Sequence, residues 1–274
     1  MSGVLYLVAT PIGNLEDITL RAIKTLNESS IVLAENTKTS KKLFSSHGIN
    51  SKLVSFNDFS SNTKIVSLLG KLKDGYSISL ISDAGTPLIS DPGFNLVSQA
   101  IDENIRIESI PGPSAVIAGL ITSGIDNQKF IFEGFLPKKN NELKKTFSKL
   151  NYESRTTIFF ESPHRIIKSL KVMEQILDSR RKISIARELT KMHETILRGT
   201  IGEVASFVEK DPNLTRGEIV LIFEGTNNNF SDFDEKLDEL FNSLKKEVSL
   251  KKFSKVFSRI TNFSAKEIYN KYKE

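Results

Sequence analysis

The sequence predicts an α/β protein in which two α/β units face one shared cleft, followed by a small helical extension. Three observations carry this. Short apolar runs alternate with stretches in which apolar residues recur every three to four positions. The loops after the apolar runs are rich in Gly, Pro and charge, as at the carboxyl ends of strands, where open α/β sheets bind ligands. A polar stretch, "GTNNNFSDFD", reads as a linker to a lysine-rich tail with its own helical spacing.

The elements follow in order. "VLYLVA", "IVLAE", "KLVSF", "SISLIS" and "IRIESIP" are strands. Between them "DITLRAIKTLNES", "KTSKKLFSSHG", "TKIVSLLGKLKDG" and "GFNLVSQAIDEN" are helices, with Asp17 as an N-cap and Gly48 and Gly75 as terminators. Strict alternation implies a parallel sheet covered on both faces. The pattern resumes with strands "KFIFEGF", "RTTIFFES", "KISIARE" and "GEIVLIFEG" and helices "HRIIKSLKVMEQILD" and "GEVASFVEK". The units divide as residues 1–118 and 119–226. Residues 232–274 form the extension, two or three small helices, the last opened by a capping box of Ser264 and Glu267.

Composition narrows the chemistry. The 274 residues are 39% hydrophobic and 26% charged, ordinary for a folded globular chain. There is no cysteine, so disulfides, zinc–thiolate sites and cysteine nucleophiles are excluded. The start resembles no signal peptide and no apolar run could span a membrane, which implies a cytoplasmic, soluble protein without a membrane partner. His47, His164 and His193 are far apart in sequence, so no metal is expected. The net charge of +5 arises in the tail: from Lys236 to Glu274 there are ten Lys/Arg against five Asp/Glu. A second basic cluster holds Lys138, Lys139, Lys144, Lys145 and Lys149. Such surfaces suit a polyanion such as nucleic acid, or are simply solvated lysine faces.

The Gly/Pro loops behave differently. "SDAGTPLISDPG" carries Asp83 and Asp91, with no Lys or Arg from Ser82 to Ile105. "TPIGNLED" carries Glu16 and Asp17, with no cation before Arg21. Neither is a phosphate-binding glycine loop, which needs a lysine or a positive helix end. A carboxylate ~4 Å from a phosphate costs about 1 kcal/mol in water and several times that in a shielded cleft. A ligand with hydroxyls and a positive centre fits better, and S-adenosylmethionine has both. A purely structural acidic turn is the alternative.

Eight stretches carry a family resemblance: "LYLVATPIGNLEDITLRA", "AENTKTSKKLFSSHGI", "SLISDAGTPLISDPG", "IPGPSAVIAGLITSG", "FEGFLPKK", "IFFESPHRI", "IARELTKMHET" and "RGEIVLIFEG". In this order, over nearly the whole chain, they resemble the tetrapyrrole methylase superfamily, the class III methyltransferases. More closely they resemble its ribosomal RNA small-subunit methyltransferase I family. The resemblance implies S-adenosylmethionine as cofactor and the ribose 2′-hydroxyl of a cytidine in the decoding centre of 16S rRNA as target. It also implies the assembled small subunit as partner, and a homodimer. Two residues depart from the family's "AEDTR": Asn36 lacks the carboxylate, and Lys38 lacks the forked guanidinium. The family's His-rich stretch after the third strand is here "FNDFSSN" and receives no role.

Site residues carry over by position. Pro11, Ile12, Thr86, Ile89, Ser114, Ala115 and Ala186 would line the cofactor pocket, together with Gly85 and with Asp83 at its strand end. For the apolar members plain core packing is the competing reading, and for Ser114 a helix cap. Asp91 is expected to cap a turn rather than take part in chemistry. Methyl transfer to a weak hydroxyl nucleophile gains from a base or a group steadying the alkoxide. Glu161, Arg187 and Glu188 are the candidates, against surface salt bridges as the plainer reading. Lys138, Lys139, His164, Arg165, Lys191 and the tail would hold RNA. Two other functions compete: a methylase of a tetrapyrrole or other small molecule, which the basic surface disfavours, and a non-catalytic RNA-binding assembly factor, which the intact cofactor loops disfavour.

Overall fold

The computed structural model describes residues 3–226, 230–259 and 264–273. Five strands form the first sheet: β1 (Val4–Val8), β2 (Ile31–Ala34), β3 (Leu53–Ser55), β4 (Ile78–Ile81) and β5 (Arg106–Ile110). They run in the order β3-β2-β4-β1-β5, and every pairing is parallel. Helices α1 (Leu20–Glu28), α2 (Thr37–His47), α3 (Asn62–Lys73) and α4 (Phe94–Asp102) connect them. β2 and β4 are buried throughout, as central parallel strands covered on both faces must be. Asp17 does not cap α1. It lies in a 3-10 turn, Leu15–Asp17, and the Thr19 side chain accepts the Ala22 N–H instead. Gly48 ends α2 in the left-handed region at φ 63°.

The second sheet contains β6 (Phe130–Phe135), β7 (Thr156–Glu161), β8 (Lys182–Arg187), β9 (Thr195–Thr200) and β10 (Ile219–Phe223), ordered β6-β7-β10-β8-β9. It is mixed: only β6 and β7 are parallel, and β10 runs antiparallel to both its neighbours. The strand absent from the sequence reading, β9, pairs antiparallel with β8 along six residues. Helices α5 (Ala115–Ser123), α6 (Asn140–Leu150), α7 (Ile166–Ile176) and α8 (Ile201–Lys210) cover this sheet. α6 is the basic cluster around Lys144, folded as a helix with Leu143, Phe147 and Leu150 buried. α5 packs on the second sheet, where Gly119 allows a close approach: a Cβ there would lie 3.2 Å from Val220.

The tail supplies α9 (Phe230–Leu244), α10 (Leu250–Phe257) and α11 (Ala265–Tyr272). Leu237, Phe253 and Ile268 form their small core, with Phe241 stacked on Tyr272. Helix α9 begins within the stretch read as a linker, and residues 227–229 of that stretch lie outside the described residues. The Glu267 side chain of the expected capping box also lies outside them. Among the described residues no helix is long and apolar enough to cross a membrane.

Candidate active site

The loops at the carboxyl ends of the first sheet are joined by main-chain bonds. The Thr10 N–H donates to the Gly85 carbonyl at 2.9 Å and the Gly85 N–H to the Thr10 carbonyl at 3.0 Å. The Thr86 hydroxyl reaches the Pro113 carbonyl at 3.3 Å, which ties in the loop after β5. The second half meets this edge directly. The Asn14 N–H donates to the Thr190 hydroxyl at 3.1 Å, and Gly13 is packed so tightly that a Cβ there would lie 2.4 Å from Lys191 Cγ. Non-glycine residues in the left-handed region gather in the cleft loops: Leu88, Ser90, Glu188 and Thr190 all have φ between 52° and 72°. Such backbone is costly and collects at functional sites.

Between the halves lies a cavity of about 440 Å³, within the ~300–1,000 Å³ span of small-molecule sites. Ile12, Asp83, Gly85, Thr86, Ile89, Ser114 and Ala115 line it, as their positions in the sequence imply. Pro11 lines a neighbouring cavity of about 330 Å³ instead. Ala186 lines neither among the described residues, because it is fully buried in the apolar layer beneath Val116 and Val220. Opposite the first-sheet loops, Phe135 and Phe160 meet edge to face at 5.4 Å and present apolar surface to the larger cavity.

The larger cavity is lined by four carboxylate residues, Asp83, Asp91, Glu161 and Glu218, and by no described Lys or Arg. Asp91 does not cap α4, whose N-cap is Gly93 without a side-chain bond. It faces the cavity, and burial pushes its carboxyl up to about 6, with Glu35 and Asp83 adding repulsion against a hydrogen bond from Ser82. Burial likewise raises Asp83, whose Oδ1 accepts the Asn36 N–H at 3.1 Å. Burial and the charges of Asp83 and Asp58 raise Glu35. The departure at Asn36 keeps a local role, since its side chain caps α2 by accepting the Lys38 N–H.

Glu161 and Glu188 of the second half are bonded within the protein. Glu161 is buried and bonded to the Ser162 N–H, the Ser169 hydroxyl and the Arg165 guanidinium. Arg165 also donates to the carbonyls of Leu136 and Pro137, so it clasps the loop after β6. Arg187 is buried and holds the carbonyls of Arg216 and His193. Glu188 accepts from Lys191 Nζ at 2.8 Å and from the Glu218 N–H at 3.0 Å. Burial works to raise the Glu188 carboxyl, but these bonds and the nearby charges outweigh it and hold the group below its usual range. Lys191 bridges Glu188 and Glu218, and despite burial its pKa lies above the usual lysine value. Lys138, Lys139 and His164 are exposed, with Lys139 paired to Glu142 at 3.4 Å. Glu218, which lines both cavities, escaped the sequence reading. "RGEIVLIFEG" gave no signal that its first acidic residue stands where two loops meet.

A cavity of this kind fits a ligand with an apolar face, hydroxyls and a positive centre, and no described Lys or Arg lines it to meet a phosphate. Among the described residues no group of three or more His, Asp or Glu is arranged to hold a metal ion.

Comparison with known proteins agrees with this geometry. The family Tetrapyrrole (Corrin/Porphyrin) Methylases matches residues 4–205. The chain is 41% identical over 271 residues to the ribosomal RNA small subunit methyltransferase I of Haemophilus influenzae, covering 98% of this chain and 96% of the relative. The Thermotoga maritima protein of the same name is 44% identical over 223 residues, 81% of this chain and 99% of the relative. Among solved structures, diphthine synthase superposes with a TM-score of 0.62 at 14% identity, over 85% of this chain and 94% of that one. Cobalt precorrin-4 methyltransferase superposes with 0.59 at 16%, over 81% and 94%. Those two likenesses concern the fold, whereas the sequence relatives reach further. The chain is a methyltransferase of the tetrapyrrole methylase fold and belongs to the ribosomal RNA small subunit methyltransferase I family.

Proposed function

We propose that this enzyme transfers the methyl group of S-adenosylmethionine to the ribose 2′-hydroxyl of a cytidine in the decoding centre of 16S rRNA, within the assembled small subunit. The observation that carries the donor assignment is the larger cavity, which sets Phe135 and Phe160 opposite Asp83 and Asp91 and has no described Lys or Arg in its lining. S-adenosylmethionine supplies an activated methyl group, and the protein supplies alignment and a dry setting. Phe135, Phe160 and Ile89 would pack the adenosine. The Thr86 and Ser114 region would offer hydrogen-bonding partners, and Asp83 and Asp91 would face the positive centre.

Glu161 and Arg187 act in this reading as positioning residues. They fix the loops after β7 and β8 through buried bonds rather than meeting a reactant. Glu188 orients Lys191 in the same way. The rRNA target rests on the names of the relatives. Exposed Lys138, His164 and the lysines of α10 would meet phosphates, as would Lys139 on leaving its exposed pair with Glu142, while Arg165 and Lys191 are engaged within the fold. A homodimer covering Ile117 and Ile121, exposed one turn apart on α5, is the assembly we favour. With rRNA as substrate, the enzyme belongs in the cytoplasm.

The test is mass spectrometry of small-subunit rRNA from cells with and without the gene. Loss of one cytidine 2′-O-methyl mark is the expected result. An unchanged set of marks would remove rRNA ribose as the substrate. Calorimetry on the purified chain tests the donor separately.

A further inference from the structure

The second cavity abuts the first and differs from it in chemistry. Thr39, Ser40 and Lys42 of α2 line it, together with Lys191. Lys42 has no ion partner among the described residues. Four residues line both cavities: Ile12, Asp83, Ala84 and Glu218. We propose that the second cavity receives the target ribonucleoside of the RNA and that the Glu218 carboxylate accepts the proton of its 2′-hydroxyl. This rests on the methyltransferase reading and assigns the acceptor's place within it.

Geometry supports the placement. Methyl transfer brings the attacking oxygen to about 3–3.5 Å from the methyl carbon, so donor and acceptor sites must share a wall. Of the four shared residues, only Asp83 and Glu218 carry polar side-chain groups. Asp83 is anchored to the Asn36 N–H and stands with Glu35, Asp58 and Asp91 in an uncompensated acidic group, suited to the donor's positive charge. Glu218 has a different setting. Its side chain is 71% exposed, and Lys191 holds its Oε2 at 3.1 Å. Lys191 is itself fixed by Glu188 at 2.8 Å. Oε1 of Glu218 has no protein partner among the described residues, so one oxygen is oriented and open. Both oxygens of Glu161 are bonded to the protein, and Glu188, bonded through Oε1 alone, lines neither cavity.

The step balances. The 2′-hydroxyl proton passes to the Glu218 carboxylate as the hydroxyl oxygen bonds to the methyl carbon. The carbon–sulfur bond breaks with its electron pair on sulfur, which leaves a neutral thioether. Solvent then takes the proton from Glu218. Lys42, an exposed residue lining the second cavity, would meet a phosphate flanking the nucleoside.

The experiment uses the full chain and small ribosomal subunits purified from cells lacking the gene. Glu218→Gln should lower kcat about 100-fold or more, the range removed with a general base, while the donor Kd by calorimetry stays within twofold. Glu218→Asp, which keeps a carboxylate, should lose roughly tenfold. Lys42→Glu and Thr39→Trp should each raise the KM for the subunit at least ~5-fold, as for a lost or blocked phosphate contact. A Glu218→Gln enzyme with kcat within threefold of the parent overturns the base. Unchanged KM in both α2 variants overturns the acceptor site. If the parent binds the donor but modifies no rRNA, the substrate reading falls instead, and that outcome is distinct from either.

Discussion

Two loops that face the same cleft have opposite electrostatics. After β4, Asp83 and Asp91 stand without cations and both titrate above their usual range, Asp91 at about 6. After β8, Glu188 is held below its range by Lys191 and the Glu218 N–H. The first loop keeps a charge deficit that a positive ligand can fill. The second has filled its own, and so serves as a scaffold. A carboxylate in a cleft is therefore no guide to chemistry until its partners are known.

Gly85→Arg breaks the first side most severely. It places a cation and a bulky chain where the backbone is left-handed at φ 83° and Ile12 lies 3.3 Å from a Cβ. Donor affinity should fall about 1,000-fold, roughly 4 kcal/mol, as read by calorimetry on a chain whose circular dichroism is unchanged. Retained binding would move the donor out of this cavity.

Glu161→Gln breaks the second side. Removing one member of a buried ion pair costs about 3 kcal/mol, so Tm should drop by ~6–12 °C in a chain of this size. Donor affinity should change only a few-fold. A large loss of affinity without loss of stability would make Glu161 a ligand contact rather than a clasp.

Asp91→Asn sharpens the contrast through pH. The folded carboxyl titrates at about 6, and the unfolded one near ~3.9. Between those values the folded state holds a proton that the unfolded chain has lost, so stability falls as pH rises through this window. Discounted for the solvent that reaches the group, the loss is about 1 kcal/mol. An amide at this position does not titrate, so the variant should gain about 1 kcal/mol at pH ~7.5 and little at pH ~4 in denaturant titrations. Donor affinity of the parent should rise between pH ~5 and ~7 as Asp91 ionises, and the variant should lack that rise.

The smallest effect on the cleft comes from the tail. Replacing Lys251, Lys252 and Lys255 by Gln should leave donor affinity unchanged. It should flatten the log–log salt dependence of RNA binding by up to about 2, if each lysine meets one phosphate of a single strand. An unchanged slope would place the RNA elsewhere.

Much of the fold was legible in the sequence because parallel strands read as apolar runs, and β1 to β5 fall within a residue or two of their expected places. β9 was not, since "TILRGT" carries Arg198 and Gly199 in place of a continuous apolar run and becomes a strand through its ladder with β8. The antiparallel course of β10 is likewise a tertiary matter. Within the site, the loop after β4 announced itself by glycines and missing cations. Ala186 could not be told from a lining residue, because one layer of depth leaves no trace in sequence. Asp91 followed by Pro-Gly reads as a turn cap, and nothing in that pattern shows that the residue also lines the cleft.

The pair of bonds between Thr10 and Gly85 has a consequence for drift. Both bonds are made by main-chain atoms, so only proline at position 10 would remove one outright, yet the Thr10 side chain is buried and its hydroxyl donates to the Ser82 carbonyl at 3.3 Å, which favours a small polar residue there. Position 85 has less latitude still, because its left-handed backbone favours glycine. One end of the tie is thus held to a small polar side chain by its buried surroundings, and the other is pinned to glycine by its backbone. A cleft fastened in this way can persist while the residues around it turn over.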